Sequence, residues 1–521
     1  MRSLLILAGF WFATSGIGLA EGRLSTRPIT LSECVELALA KNLELRIERY
    51  NPQFALFNLA AAKAGYEPTL SLSGSHSHDE SGSQLLSGGF EVPGAETDSD
   101  QFNGSLTGLT PWGMTYGVRA SGSEASGQSF FVDTNNNLVS DSFDSSRGSV
   151  SIELNQPLLK NFWIDGTRLN IALAKNRVQY SELTLKARVI DIVTRVELAY
   201  YDLGYAYENV KVQQKALELA QRLLDENRKR VEVGALAPLD EKQSEAAVAA
   251  RQADLIAAQR NLNFLENSLK QLLSDDFAAW NNQRLDPIDG LAAERQLLDL
   301  QDSWTKGLTL RPELLQAELD LARNGIQLKY DRNQLYPQLD AFGEFGYNGS
   351  GDVFDDAFQE VSDRDRPFWA VGGRLVVPLG NGAARNRYKS TQAGREQTVL
   401  AAKKLEQDIM VQIDNAIKLA QSNFERIGAT RKAREYAEAA LSAEQKKLEN
   451  GKSTSFIVLQ LQRDLTAAQS DEISALVQYK RSLASLAQAE GTTLERNKID
   501  VAGGYAPIII SPSKPGIAMP K

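Results

Sequence analysis

The sequence predicts an α+β protein with two internal repeats, in which long coiled helices flank short alternating strands. Three observations point there. First, Gly166 to Gly234 contains no Pro and one interior Gly, Gly204, and Gly382 to Gly451 repeats that length. Second, the stretches between these rods switch to a period of two, the mark of strands. Third, three landmarks recur in the same order. Tyr66-Glu67-Pro68-Thr69-Leu70 corresponds to Tyr336-Pro337-Gln338-Leu339, where a helical pattern gives way to alternation. Asn155-Gln156-Pro157-Leu158-Leu159 corresponds to Val376-Val377-Pro378-Leu379, where alternation gives way to a rod. Arg230-Val231-Glu232-Val233-Gly234 corresponds to Lys447-Leu448-Glu449-Asn450-Gly451, where a rod breaks at Gly.

The N-terminus comes first in chain order. Arg2 precedes the apolar run Leu4 to Leu19, and Gly18-Leu19-Ala20 offers the small residues a signal peptidase reads. Residues 1–20 therefore read as a secretory signal peptide. Losing Arg2 takes the formal charge from -9 to -10, which argues against a nucleic-acid surface. No later stretch approaches the ~18 apolar residues of a membrane helix. One Cys and two His exclude an intramolecular disulfide and a structural Cys/His zinc site.

The rods are the clearest physical signal. Apolar residues fall seven apart at Ile171, Val178, Leu185, Ile192, Ala199 and Ala206. A second stripe runs Val189, Val196, Leu203, Val210, Leu217, Leu224 and Val231. A strict period of seven imposes a left-handed supercoil. At 1.5 Å per residue each rod is about 100 Å long, far beyond a globular helix. Returning helices are expected over Leu239 to Leu273, Arg311 to Gln334 and Phe456 to Gly491, and another over Leu31 to Gly65. Ser274 to Gly307, with Asn281-Asn282, Asp286-Pro287 and Asp289-Gly290, is expected as a non-helical linker.

The strands alternate apolar and small or polar residues. Leu339, Ala341, Gly343, Phe345 and Tyr347 share one face, and Trp369, Val371, Gly373, Leu375 and Val377 behave alike. Val150, Ile152 and Leu154, and Met114, Tyr116, Val118 and Ala120, repeat the pattern in the first half. Such alternation over about 10 residues suits a transmembrane β-barrel and equally a half-buried soluble sheet. Trp112, Phe162, Trp163, Phe368 and Trp369 lie near strand-to-helix boundaries, as membrane-interface aromatics would. Residues 75–100, 122–147 and 348–366 are polar and read as exposed loops. His76 and His78 stand in the first of these without a convergent third ligand, so no metal is assigned.

A signal peptide, repeated halves, coiled rods and alternating strands together resemble the TolC family of outer-membrane efflux proteins. The opening Ile29-Thr30-Leu31-Ser32-Glu33-Cys34-Val35-Glu36-Leu37-Ala38-Leu39-Ala40-Lys41-Asn42, the two Pro-Leu junctions and the two Gly tips carry the likeness. The resemblance implies a homotrimer: a transmembrane β-barrel shared by three chains, and a long antiparallel coiled-coil helical barrel in the periplasm. Closure by three chains would also remove sheet edges that lipid cannot satisfy. The domain plan is then signal peptide 1–20, first repeat 21–272, equatorial linker 273–308, second repeat 309–493 and periplasmic tail 494–521. The family commonly supplies four strands per chain; Phe102 to Leu109 and Met114 to Ala120 suggest six here.

The implied work is export, with no catalytic residue and no cofactor. The resemblance implies docking of a periplasmic adaptor (membrane fusion protein) at the tips Val233-Gly234-Ala235-Leu236 and Asn450-Gly451-Lys452-Ser453. It implies an inner-membrane transporter of RND, ABC or MFS type beyond the adaptor, and outer-membrane lipid around the barrel. The family constricts at its second tip. The best-studied member has Tyr and Arg there and acidic residues on the next turns; this chain has Leu448, Ser453, Ile457 and Gln460. Leu448, Ile457 and Gln460 are thus the candidate gate, closed by apolar or neutral side chains, and a hydrophobic ring can gate by dewetting. Gly451-Lys452-Ser453 is no phosphate loop, because Lys446 stands where that loop needs Gly. The competing expectation is a structural periplasmic coiled-coil protein with a soluble β cap.

Overall fold

The computed structural model describes residues 25–85, 89, 91–132 and 138–499. The expected signal peptide, and the tail beyond residue 499, lie outside the described residues. The chain opens with β1 (Ser25–Ile29), α1 (Leu31–Lys41), α2 (Leu43–Glu48) and α3 (Tyr50–Lys63). Strands β2 (Thr69–Glu80), β3 (Gln84–Leu85), β4 (Glu91–Val92), β5 (Glu96–Leu109), β6 (Thr115–Val132) and β7 (Leu138–Pro157) follow. Rod α4 (Gly166–Glu232) and return helix α5 (Pro238–Leu273) lead to α6 (Phe277–Trp280), β8 (Gln283–Pro287) and α7 (Leu300–Leu310). The rest is α8 (Pro312–Asn333), β9 (Gln338–Gly351), α9 (Phe354–Asp363), β10 (Pro367–Val376), rod α10 (Gly382–Glu449), α11 (Ser455–Glu490) and α12 (Thr493–Arg496). The described residues form two compact units, one drawn from 25–46, 188–307 and 411–499, the other from 47–187 and 308–410.

The first unit is helical. The seven-residue stripe of α4 is buried at Val196, Leu203, Val210 and Leu224, as a coiled seam requires. Leu223, Leu441, Leu448, Val458 and Leu465 form one packed cluster, and Ala420, Ile427, Ala475, Tyr479 and Leu483 another. β1 pairs in parallel with β8. Tyr200 donates its hydroxyl to Ile29 O at 3.2 Å and to Asp289 Oδ2 at 2.9 Å, tying α4 to this pair. Burial pushes the Tyr200 phenol well above its ordinary range. The Lys270–Glu266 pair is almost fully buried at 3.0 Å, and Glu266 also accepts Leu285 N at 2.9 Å. A buried ion pair survives only when its remaining lone pairs find donors, as here.

Two expectations change in this unit. Leu31 to Gly65 is not one helix. Asn42, 2% exposed, ends α1 with ψ of 123°. Its side chain accepts Leu45 N and donates to Leu272 O, replacing backbone bonds that a continuous helix would make. The linker is not free of helix either: α7 runs through Gly307, which is buried inside it.

The second unit is built on a six-stranded antiparallel sheet in the order β10-β9-β7-β6-β5-β2. Phe102 to Leu109 and Met114 to Ala120 contribute to β5 and β6, within this sheet. The segments 75–100 and 122–147 are largely strand, where loops were expected. Their Ser, Gly and Asp are polar on both faces, so the apolar alternation that marks a strand disappears while ladder pairing continues, as in Ser123↔Arg147. Residues 348–366 contain α9, also expected as loop. Phe354, Ala357, Phe358 and Val361 lie at helical spacing inside an acidic stretch, so composition concealed an amphipathic helix.

Candidate functional site

Side chains of paired residues project to the same side of a sheet. One row across it reads Leu70, Leu106, Val118, Ile152, Phe345 and Trp369, each paired with the next. All six are substantially exposed, from 37% at Leu106 to 73% at Trp369. The adjoining row on the same face contains Leu72, Gly104, Ala120, Val150, Tyr347 and Pro367. The opposite face carries Ser71, Ser105, Arg119 and Ser151 in one row and Thr107, Gly117, Glu153 and Glu344 in another. There Arg119 pairs with Glu153 at 2.8 Å, and Arg374 lies 5.7 Å over the Phe342 ring. One face is thus apolar and unpacked over most of its area, and the other is polar. Among the described residues, the strands at both ends of the sheet, β2 and β10, each keep one unpaired edge.

The interface aromatics divide. Trp112 sits in the turn between β5 and β6, and Phe162 stacks edge-on with Trp163 at 4.9 Å ahead of α4. Trp112 and Trp163 are exposed. Phe368 and Trp369 lie at the start of β10, not beside α10 as expected. Being neighbours on a strand they face opposite ways: Trp369 joins the apolar row, while Phe368 packs over Gly346 on the polar face. Phe368 and Trp369 therefore do not share a face.

Each strand-to-rod junction puts an Asn in the left-handed region, Asn161 with φ 65° and Asn381 with φ 42°. Asn161 N donates to Asn333 Oδ1 at 2.6 Å, and Asn381 Nδ2 donates to Leu335 O at 3.0 Å. Asn tolerates this conformation better than other side chains, which fixes where the chain turns from sheet into rod.

At the other candidate region, α4 turns into α5 at Gly234 (φ 74°) and α10 turns into α11 at Gly451 (φ 70°). Ala235 N donates to Arg230 O at 2.7 Å and Lys452 N donates to Lys447 O at 2.8 Å, closing both helix ends. Val233, Gly234, Ala235, Asn450, Gly451 and Lys452 are exposed; Leu236 and Ser453 are half-buried. Ser453 donates to Glu444 Oε1 at 2.6 Å, and Lys447 pairs with the same carboxylate at 2.8 Å. These partners hold the Glu444 carboxyl below its usual range, Lys447 first and then Ser453.

Residues that sequence reasoning missed join the two hairpins. Asn227 is fully buried; its amide donates to Ser244 Oγ at 2.7 Å, and its carbonyl accepts Ser455 Oγ at 3.1 Å. It thereby links α4, α5 and α11. Arg230 donates to Leu448 O at 3.3 Å. An Asn on the buried side of an otherwise apolar stripe was the available signal, since buried polar groups must be paired. Leu448, expected in the gate, is 5% exposed and fills the interhelical cluster of its own chain. Ile457 and Gln460 are exposed.

His76 and His78 stand on β2, paired across the ladder with Asp100 at 2.9 Å and Asp98 at 2.7 Å. Among the described residues, no group of three or more His, Cys, Asp or Glu is placed to hold a metal ion. Among the described residues no helix is long and apolar enough to cross a membrane.

A two-faced sheet and rod helices form a fold shared with outer-membrane channels of known structure. The chain belongs to the outer membrane efflux protein family, whose model matches residues 113–274 and 306–492. It is 24% identical over 364 residues to outer membrane protein TolC of Vibrio cholerae, covering 68% of this chain and 79% of that protein. Its fold is similar to the outer-membrane channel OprN, with a TM-score of 0.65, 15% identity and coverage of 89% and 90% of the two chains. It is also similar to the Campylobacter jejuni CmeC channel, with a TM-score of 0.64, 14% identity and coverage of 96% and 98%. The protein is an outer-membrane efflux channel. Channels of this family work with periplasmic adaptors and inner-membrane transporters.

Proposed function

We propose that three copies of the chain close into one channel-tunnel that exports substrates from the periplasm, or from an inner-membrane transporter, to the outside. The observation that carries this reading is the open six-stranded sheet with one apolar and one polar face. Lipid tolerates no unpaired strand edge, so β2 of one copy would pair with β10 of the next. Three six-stranded sheets give eighteen strands, an even number within the range of about 8 to 26 for bacterial outer-membrane barrels. The apolar face would meet lipid, and the Arg119, Glu153, Glu344 and Arg374 face would line a wet pore. Exposed Phe54, Phe57, Ile256, Phe264 and Leu400 on the helices also favour burial against neighbouring copies.

The exposed tips Val233-Gly234-Ala235-Leu236 and Asn450-Gly451-Lys452-Ser453 would dock the periplasmic adaptor, which in turn engages a transporter of RND, ABC or MFS type. Ile457 and Gln460 would face the constriction, with Leu448 supporting them from the interhelical core. A soluble β cap would leave the apolar rows without a partner. The test is purified protein on an unheated gel and in planar bilayers. A trimer-sized band with discrete conductance steps supports the channel; a monomer without conductance refutes it.

A further inference from the structure

The amphipathic helix α9 is seated on the apolar face of the sheet by glycines. A Cβ at Gly349 would come 1.9 Å from Ala357 O, and one at Gly122 would come 2.4 Å from the Phe354 ring. Gly148 lies beside Ala357 and Val361, which are buried. Its C-terminal half is fixed: Ser350 N donates to Glu360 Oε2 at 3.0 Å, Arg366 pairs with Glu360 at 3.1 Å, and Arg364 caps the helix with φ 64°. Phe354 and Phe358 stack at 6.4 Å, and Phe102 meets Phe354 edge-on at 6.2 Å. Phe358 and Phe102 are nonetheless 59% and 55% exposed. Between this ring group and the strands lies an open groove of about 580 Å³, lined chiefly by Leu72, Gly74, Phe102, Gly104, Ala120 and Phe358.

The groove is continuous with the exposed apolar rows and stops where they stop. Beyond Gly74, Phe102 and Gly122, the same face turns to His76, Asp100 and Glu124. Along β9 the apolar face runs from Leu339 to Gly349; at about 3.4 Å per residue and a tilt near 40° this spans roughly 26 Å, close to the ~25 Å band of outer-membrane barrels. Helix α9 therefore lies at the rim of the band, with Asp355, Asp356, Glu360 and Asp363 on its other side, as an interfacial helix does.

We propose that α9 is an outer-leaflet interfacial helix and that its groove holds one acyl chain of an outer-membrane lipid. The proposal rests on the reading that the apolar face meets lipid. A chain lying against Leu72, Phe102 and Phe358 covers ring surface that the protein leaves bare, and the Gly104 and Gly74 floor admits it closely.

The test uses full-length protein in lipid vesicles containing a phospholipid spin-labelled on its acyl chain. A motionally restricted component is expected. Phe358→Ser, on the helix wall of the groove, and Gly104→Leu, which fills the floor, should each weaken it about tenfold, the scale of losing roughly two buried methylenes. An unchanged component in both variants overturns the proposal. A nitroxide attached at Phe358→Cys, with Val371→Cys as reference, separates the two readings. Both sites relaxed by oxygen and shielded from aqueous nickel complexes supports the proposal. A shielded Val371→Cys with a water-accessible Phe358→Cys removes the groove and keeps the barrel. A water-accessible Val371→Cys removes the membrane face itself. Spin–spin broadening at Phe358→Cys would mean that a second copy fills the groove, which also overturns the proposal.

Discussion

Arg substitution at two adjacent residues of β10 separates a lipid-facing wall from a soluble sheet. Val371 and Ala370 are both exposed and point to opposite faces. Val371 is 75% exposed in the chain. In water, a substitution there would move stability by only about ±0.5 kcal/mol. In hydrocarbon, Val371→Arg stands mid-way along the apolar positions Trp369, Val371, Gly373 and Leu375. Arg near the bilayer midplane costs about 2–4 kcal/mol per chain, a shift of roughly 30- to 700-fold in the folding equilibrium. Ala370→Arg faces Glu344 across the ladder, where an opposite charge contributes about 0.2–1 kcal/mol of stabilisation. The assay is urea unfolding in lipid vesicles, read by the mobility of folded and unfolded protein on unheated gels. The expected result is a large loss for Val371→Arg and none for Ala370→Arg. Equal effects, or the reverse order, would refute the assignment of faces.

Other consequences follow from the helical unit. Ile457→Asp should raise single-channel leak conductance, because a charge in a narrow apolar ring favours wetting; unchanged conductance removes Ile457 from the gate. Asn227→Ala removes the acceptor of the buried Ser455 hydroxyl and the amide donor to Ser244 Oγ, which keeps its bond to Asp240 O, and should cost about 1–3 kcal/mol, seen as faster protease cleavage near Gly234 and Gly451; equal cleavage rates would contradict the linking role. Gly451→Ala forces a side chain into the left-handed region at about 1–2 kcal/mol, whereas Gly428→Ala, in open space inside α10, should stabilise by up to about 1 kcal/mol. Thermal melting that ranks the two the other way would count against the assigned tip geometry. Cys34 is fully buried, and desolvation pushes its thiol to about 12. At pH 8 its thiolate fraction is then about 10⁻⁴, so alkylation should run at least about a thousandfold slower than in urea-unfolded protein. Comparable rates would show that Cys34 is accessible.

The rods were legible because two signals agreed. Their lengths follow from the spacing of Gly and Pro, and their packed side from residues seven apart, of which Val196 and Leu203 are fully buried. The central strands were legible wherever one face was apolar, as at Val118 and Ile152. Legibility ended where that contrast ended. Beyond Phe102 and Gly122 the strands continue with Ser, Asp and His on both faces, and their pairing rests on backbone groups that any residue supplies. Helix α9 was hidden by acidic composition, although its four apolar residues have helical spacing. The parallel pairing of β1 with β8 joins residues far apart in the chain, and nothing local to Ser25–Ile29 specifies that partner. The tip glycines were visible, but the Asn227 link was not, because its partners Ser244 and Ser455 come from two other helices.

The gate assignment shows how burial reorders a site. The family resemblance placed Leu448, Ile457 and Gln460 together at the positions of its constriction. The structure divides them: Leu448 packs with Leu223, Leu441, Val458 and Leu465, while Ile457 and Gln460 remain exposed. Apolar burial of this kind is strong and not easily exchanged, so Leu448 holds α10 and α11 together as a hairpin. Leu223 brings α4 into that same apolar cluster, and polar contacts add to it: Arg230 donates to Leu448 O, and Asn227 accepts the Ser455 hydroxyl. Each net hydrogen bond is worth only about 0.5–1.5 kcal/mol, because water replaces it when it breaks. Separating the hairpin from α4 would therefore also expose Leu223, and at about 1.5–3 kcal/mol for a buried Leu that apolar contact is the larger cost. A movement of α10 and α11 away from α4 that carried Ile457 and Gln460 with it would have to open this shared cluster as well as the polar link.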